Sequence, residues 1–217
     1  MTQLATFLLI LHIIAGTTGL ISGTINLFRR KGDTLHRKIG ILFTWAMVTA
    51  GVSATILSIL RPNYFLTMIG IFTLYMVSTG KRYIEQRLLN VDNDPKAFDW
   101  ILTWGMAATS VIFIALGMLQ LLKGVTFGIV YLVFGSIGIL FVRTDFKNYR
   151  GKAAERNYWL LAHLQRMTGA YIAALTAFLV VNADKLPSFV PGTVYWLLPT
   201  AILTPMIIRW SRQYALK

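Results

Sequence analysis

Long apolar runs alternate along this chain with short polar, mostly basic stretches, and the apolar runs have the length of membrane-crossing helices. A bilayer core about 30 Å thick needs roughly 20 apolar residues in helical form. Seven segments reach that length, at approximately 4–28, 39–60, 64–84, 100–122, 125–142, 159–182 and 193–211. The pattern predicts an all-α, polytopic integral membrane protein: one transmembrane domain over 1–217, built as a seven-helix bundle, with loops too short to hold a soluble domain.

Composition agrees with this class. The 217 residues are 56% hydrophobic and 13% charged, outside the range of soluble domains. There is no cysteine, which excludes thiolate metal sites, Fe–S clusters and cysteine nucleophiles. "MTQ" has no basic n-region, and the apolar run from Leu4 to about Phe28 is too long for a signal h-region, so it reads as a retained helix.

Net charge is +13, which in a soluble domain would suggest nucleic acid. Here the basic residues sort by side. Of the 21 Lys and Arg, 17 fall in the loops at 29–38, 81–99 and 143–158 or in the tail after 208; only Arg61, Lys123 and Lys185 fall opposite, with Arg166 inside helix 6. By the positive-inside rule the N-terminus is outside and the C-terminus cytoplasmic. The basic loops then face anionic lipid, with no nucleic acid as partner. Trp100, Tyr158, Trp159 and Trp210 at the cytoplasmic ends, and Tyr64, Tyr195 and Trp196 at the outer ends, match aromatic belts.

In the loop "NVDNDPKAFDW", Asp94 followed by Pro95 predicts an N-cap and first turn for helix 4. Asp92, Asn93 and Asp94 lack the later bidentate Glu of a calcium loop. A faint parallel joins helices 1–3 to helices 5–7: helices 1 and 5 carry glycine stripes, and each leads through a basic loop to a histidine opening the next helix.

Candidate chemistry rests on few residues. His12, Gly16, Gly19, Gly23, Asn26 and Arg30 share one face of helix 1. That face is either a packing groove or room for a bulky ligand with His12 and Asn26 as polar contacts. On helix 6, His163 and Arg166 share a face lined further along by alanines. An arginine one to two turns inside a membrane helix is expensive and marks a functional site unless it snorkels to the headgroups. His36 enters helix 2 from the same cytoplasmic side, heading a stripe through Gly40, Phe43 and Met47. His12 lies about 15–20 Å away in depth from His163, so the two do not share a metal. Pro199 and Pro205 interrupt helix 7, as a local packing feature or as a hinge. Three histidines rule out a two-haem, four-histidine arrangement and disfavour a three-histidine zinc site. No Gly-x-Ser-x-Gly or P-loop occurs, and the acidic residues read almost entirely as loop residues.

"LHIIAG", the basic loop ending "LHRKIG", and above all "HLQRMTGAYIAALTAFLVVN" resemble a family of predicted bacterial multi-pass membrane proteins of unknown function. The resemblance implies a bacterial inner-membrane setting and brings no established activity. The residues themselves lead to a cytoplasmic-side site among helices 1, 2 and 6 that binds a haem b or a quinone-like redox ligand. His36 and His163 are its ligands or hydrogen-bond partners, metal ligands if haem or metal is bound. Arg166 serves as the anion anchor, and Asn26 stands at similar depth. The alternatives are a small-solute transporter lined by His12, Asn26 and Arg166, or a structural subunit of a homo-oligomer or membrane complex that packs through small-residue faces.

Overall fold

Each apolar run forms one α-helix, and local capping sets several of the ends. The computed structural model describes residues 3–87, 94–152, 156–186 and 189–215. Within them the chain is all-α, with seven α-helices: α1 (Gln3–Phe28), α2 (Thr34–Leu60), α3 (Tyr64–Glu85), α4 (Ala97–Leu122), α5 (Gly128–Tyr149), α6 (Tyr158–Val181) and α7 (Gly192–Ala215). A short 3-10 turn, Ala183–Lys185, follows α6. Five helices, α1, α2, α4, α5 and α6, are long and apolar enough to cross a membrane. Helix α7 runs continuously through Pro199 and Pro205. Asp92, Asn93 and the side chain of Tyr64 lie outside the described residues.

Several boundaries differ from the sequence expectation, and those at the start of α2, the start of α4 and the end of α5 bear on the site. Helix α2 starts at Thr34 because Gly32, at φ 85°, turns the chain and the Asp33 carboxylate caps the backbone N–H of His36 at 2.6 Å. His36 therefore sits in the first turn of α2 instead of in a loop. Helix α4 starts at Ala97, not at Pro95; the Asp99 carboxylate reaches back to the Lys96 N–H at 2.9 Å. Asp94 is not its N-cap. Helix α5 continues about two turns past residue 142, to Tyr149. Arg143, Asp145 and Lys147, which read as loop, are helical.

The packing places α3 at the centre. Helix α1 packs on α2, α2 on α3, α3 on α6, and α6 on both α1 and α7, while α4 packs on α5 and joins the rest through α3. Helices α1, α2, α3 and α6 thus close a ring in which α2 and α6 stand diagonally opposed. The expected parallel between helices 1–3 and 5–7 does not extend to packing, because α1 packs on α2 whereas α5 packs back on α4. Glycines permit the close approaches: a Cβ on Gly19 would overlap the Met47 sulfur, and one on Gly23 would overlap the rings of Tyr171 and Phe43. The glycine stripe of helix 1 is therefore filled by α2 and α6 at these two positions.

The C-terminal end of α1 and the N-terminal end of α2 lie at the end that carries the basic loops. Lys31 ties this end together. Its ammonium donates to the carbonyls of Asn26 and Leu27 at 2.7 Å each, in the last turn of α1, and lies 4.6 Å from the Trp210 ring of α7. Partial burial pushes the Lys31 ammonium below its usual value. At the far end, Phe65, Phe127 and Trp196 pack edge to face, with Phe65 4.7 Å from Trp196 and 5.1 Å from Phe127.

Candidate functional site

The sequence gathers His36, His163, Asn26 and Arg166 into one cluster. The structure divides them between two polar centres on either side of α3.

The first centre contains Asn26, His36 and His163. The 29–37 turn brings the last turn of α1 against the first turn of α2, and the Asn26 amide donates to the His36 carbonyl at 3.1 Å. Asn26 Oδ1 and His36 Nδ1 are buried and have no hydrogen-bond partner. Beside them, a Cβ on Gly40 would touch only Asn26 Nδ2, at 3.4 Å. Across the ring, His163 Nδ1 lies 2.7 Å from the carbonyl oxygen of Gly80 on α3. A carbonyl only accepts, so Nδ1 carries the proton and Nε2 of the neutral ring carries the lone pair. His36 and His163 stand at matching height, about two helical turns before Phe43 and Tyr171, which both reach Gly23. One or two turns deeper, Phe43 and Tyr171 close on Gly23, and the Tyr171 hydroxyl meets Thr24 Oγ1 at 2.8 Å.

The second centre surrounds Arg166, whose side chain is fully buried, so it does not snorkel. Its Nη2 donates to Asp145 Oδ1 at 2.5 Å, Tyr75 Oη at 3.1 Å and the Phe141 carbonyl at 3.2 Å. Its guanidinium carbon lies 4.7 Å from the Tyr83 ring, 5.2 Å from Phe141 and 5.5 Å from Tyr75. Asp145 also accepts from the hydroxyls of Tyr75 at 2.5 Å, Tyr83 at 2.6 Å and Thr103 at 3.1 Å. Asn148 donates to Tyr83 Oη at 3.2 Å. The Asp145 carboxylate lies against the Arg166 guanidinium and is its charge partner. Arg166 thus already has an anion, Asp145, from within the protein, and its partners all come from α3 and α5. Nearer the surface, Arg82 grips the buried Asp99 with two bonds of 2.8 Å and also holds Glu85 at 2.6 Å.

Gly80 belongs to both centres. Its carbonyl holds His163, and a Cβ placed on it would stand 3.2 Å from Arg166 Cβ and 2.8 Å from the Met167 sulfur. Helices α3 and α6 can approach closely here because the glycine has no side chain.

His12 stands apart from both. Its Nδ1 lies 3.0 Å from the Ala50 carbonyl and 3.3 Å from Ser53 Oγ, so it ties α1 to α2. An open depression of about 230 Å³ lies beside Ser53, lined mostly by apolar residues such as Leu8, Leu11 and Trp45.

The expectation from sequence missed Asp145, Tyr75, Tyr83 and Asp99. A signal for Asp145 exists: the buried stripe of α5 through Phe134, Gly135, Gly138 and Val142 continues at helical spacing into Asp145, Asn148 and Tyr149. Among the described residues no group of three or more His, Asp or Glu is arranged to hold a metal ion. Compared with known proteins, the chain matches no family description, no curated protein and no solved structure.

Proposed function

We propose that all seven helices cross a bacterial inner membrane, with the N-terminus outside and the C-terminus in the cytoplasm. The first centre then binds a redox ligand of the haem or quinone class in the cytoplasmic half. Helices α3 and α7, at 22 and 24 residues, are long enough to span. The polar residues that lower the hydropathy of α3, among them Thr73, Tyr75, Thr79 and Tyr83, are buried against its neighbours and do not face lipid.

Support for the ligand comes chiefly from two neighbouring buried atoms with nothing to bond, Asn26 Oδ1 and His36 Nδ1. They lie across the four-helix ring from an imidazole whose tautomer is fixed. Buried polar atoms in proteins are otherwise almost always bonded. An imidazole that gives its other N–H to a backbone carbonyl has the orientation of a metal-ligating histidine. The same Nε2 lone pair accepts equally well from a hydroquinone hydroxyl. The donor set fits both ligand types, and two histidines on diagonal helices suit a ligand between them. When bound, either ligand supplies one-electron chemistry. The protein's own contributions are to orient the ring through Gly80, to offer Asn26 and His36 as polar contacts, and to close the inner side with Phe43 and Tyr171.

The test is the reduced-minus-oxidised visible spectrum of the full-length protein, purified after expression with haem supply, together with analysis of its organic extract. A Soret band, or quinone in molar proportion to protein, is the expected result. The absence of both haem and quinone would sink the proposal.

A further inference from the structure

We infer that Gln86 and Arg166 together hold a small, uncharged, hydrogen-bonding ligand at the basic end of the second centre. Gln86 ends α3 and is fully buried. Its backbone is satisfied: the N–H bonds to the Arg82 carbonyl at 3.0 Å, and the carbonyl accepts from the Tyr158 hydroxyl at 2.8 Å. Its side-chain amide is not, since both Oε1 and Nε2 are buried without a partner. Arg166 is in the same condition at Nε and Nη1, because Asp145, Tyr75 and Phe141 all engage Nη2. Two fully buried side chains with idle polar atoms thus flank one residue: the Arg166 guanidinium lies over the Tyr83 ring, and Gln86 is one turn farther along α3.

Chemistry narrows the occupant. Arg166 offers only N–H donors, whereas the Gln86 amide offers two donors and an acceptor, so the ligand must both accept and donate. The ion pairs at this site set Arg166 and Arg82 against Asp145, Asp99 and Glu85. An anion would add uncompensated negative charge, and a cation would face idle N–H groups. An uncharged molecule is therefore favoured. Tyr83, Tyr149 and Ala162, packed with Trp100, Tyr158 and Trp159, wall the region with rings and keep the occupant small. Water, a short alcohol and a simple amide share this chemistry. The inference does not depend on the redox ligand, which would lie on the other side of α3.

A high-resolution map of the full-length protein, prepared without polyols or amides, reads the site directly. Density within hydrogen-bond distance of both Arg166 Nη1 and the Gln86 amide is expected. Single-atom density identifies water; larger density, or growth of the density on adding glycerol or acetamide, identifies a solute. Gln86 and Arg166 bonded instead to protein atoms, with no density between them, would overturn the inference. Gln86→Leu gives a second reading. If the amide has a ligand, the apolar replacement strands it and lowers Tm by about 2–4 °C. If the amide is dry, the replacement removes an unpaired polar group, and Tm stays level or rises.

Discussion

Replacing Asp145 with Asn should destabilise the protein more than any other single change at the second centre. Arg166 is fully buried and cannot lose its proton. Without the carboxylate charge it keeps only neutral partners: the Asn amide oxygen, the Tyr75 oxygen, the Phe141 carbonyl and three ring faces. Breaking a buried ion pair from one side costs about 3–5 kcal/mol. For a chain of this size, 1 kcal/mol shifts Tm by roughly 2–4 °C, so Asp145→Asn should lower it by about 6–20 °C. The new amide also turns N–H donors toward the Tyr75 or Tyr83 hydroxyl, which must then rotate away. Arg166→Met should be milder, because Asp145 would retain three hydroxyl donors and can also take up a proton. The double variant Asp145→Leu/Arg166→Met removes both charges and should recover part of the loss. It will not recover all of it, since Tyr75 and Tyr83 lose an acceptor, at about 1–3 kcal/mol for each hydroxyl left unsatisfied, while Thr103 keeps the Asp99 carbonyl at 3.0 Å. Melts followed by tryptophan fluorescence in one detergent, with wild type alongside, measure all three. Asp145→Asn melting with wild type, or above Arg166→Met, would refute the assignment of Asp145 as the compensating charge.

Other consequences concern the contacts between helices and the caps. Gly80→Ala puts a methyl against the Met167 sulfur and Arg166 Cβ; it should cost about 1–3 kcal/mol and disturb the His163 imidazole signals in NMR. At Asp33 the backbone N–H of His36, and then Arg29, hold the carboxyl below its usual value. Its contribution is therefore complete above the unfolded carboxyl pKa of about 3.9 and lost as pH falls through the lower folded value. Hydrogen exchange in the first turn of α2, corrected for intrinsic rates, should accelerate on that descent in wild type and stay level in Asp33→Asn, which keeps a capping oxygen without the titration. The chain has no cysteine, so single cysteines report sidedness. Thr34→Cys should react with an impermeant thiol reagent only from the cytoplasmic side and Asn63→Cys only from outside; the reverse would invert the proposed topology.

The helices were legible because a run of twenty apolar residues has few other physical solutions. The faces were legible too: Gly19 and Gly23 lie where neighbouring helices press against α1. Asp145 was not, because Arg143, Asp145 and Lys147 resemble a basic loop until the helix is seen to carry Asp145 onto its buried stripe. The binding of His163 to Gly80 left no trace either, since a backbone carbonyl has no residue type to read. Tyr75 and Tyr83 look like ordinary aromatics of a membrane helix, and only the central position of α3 turns their hydroxyls toward a carboxylate. Arg166 was recognised as costly, but its partner could come only from the fold.

The most direct test compares ligand retained by three purified variants, His36→Ala, His163→Ala and His12→Ala. Loss of haem absorbance or extractable quinone in the first two, with His12→Ala retaining the wild-type amount, is the predicted result. Equal retention in all three, or loss confined to His12→Ala, would contradict a redox site between α2 and α6.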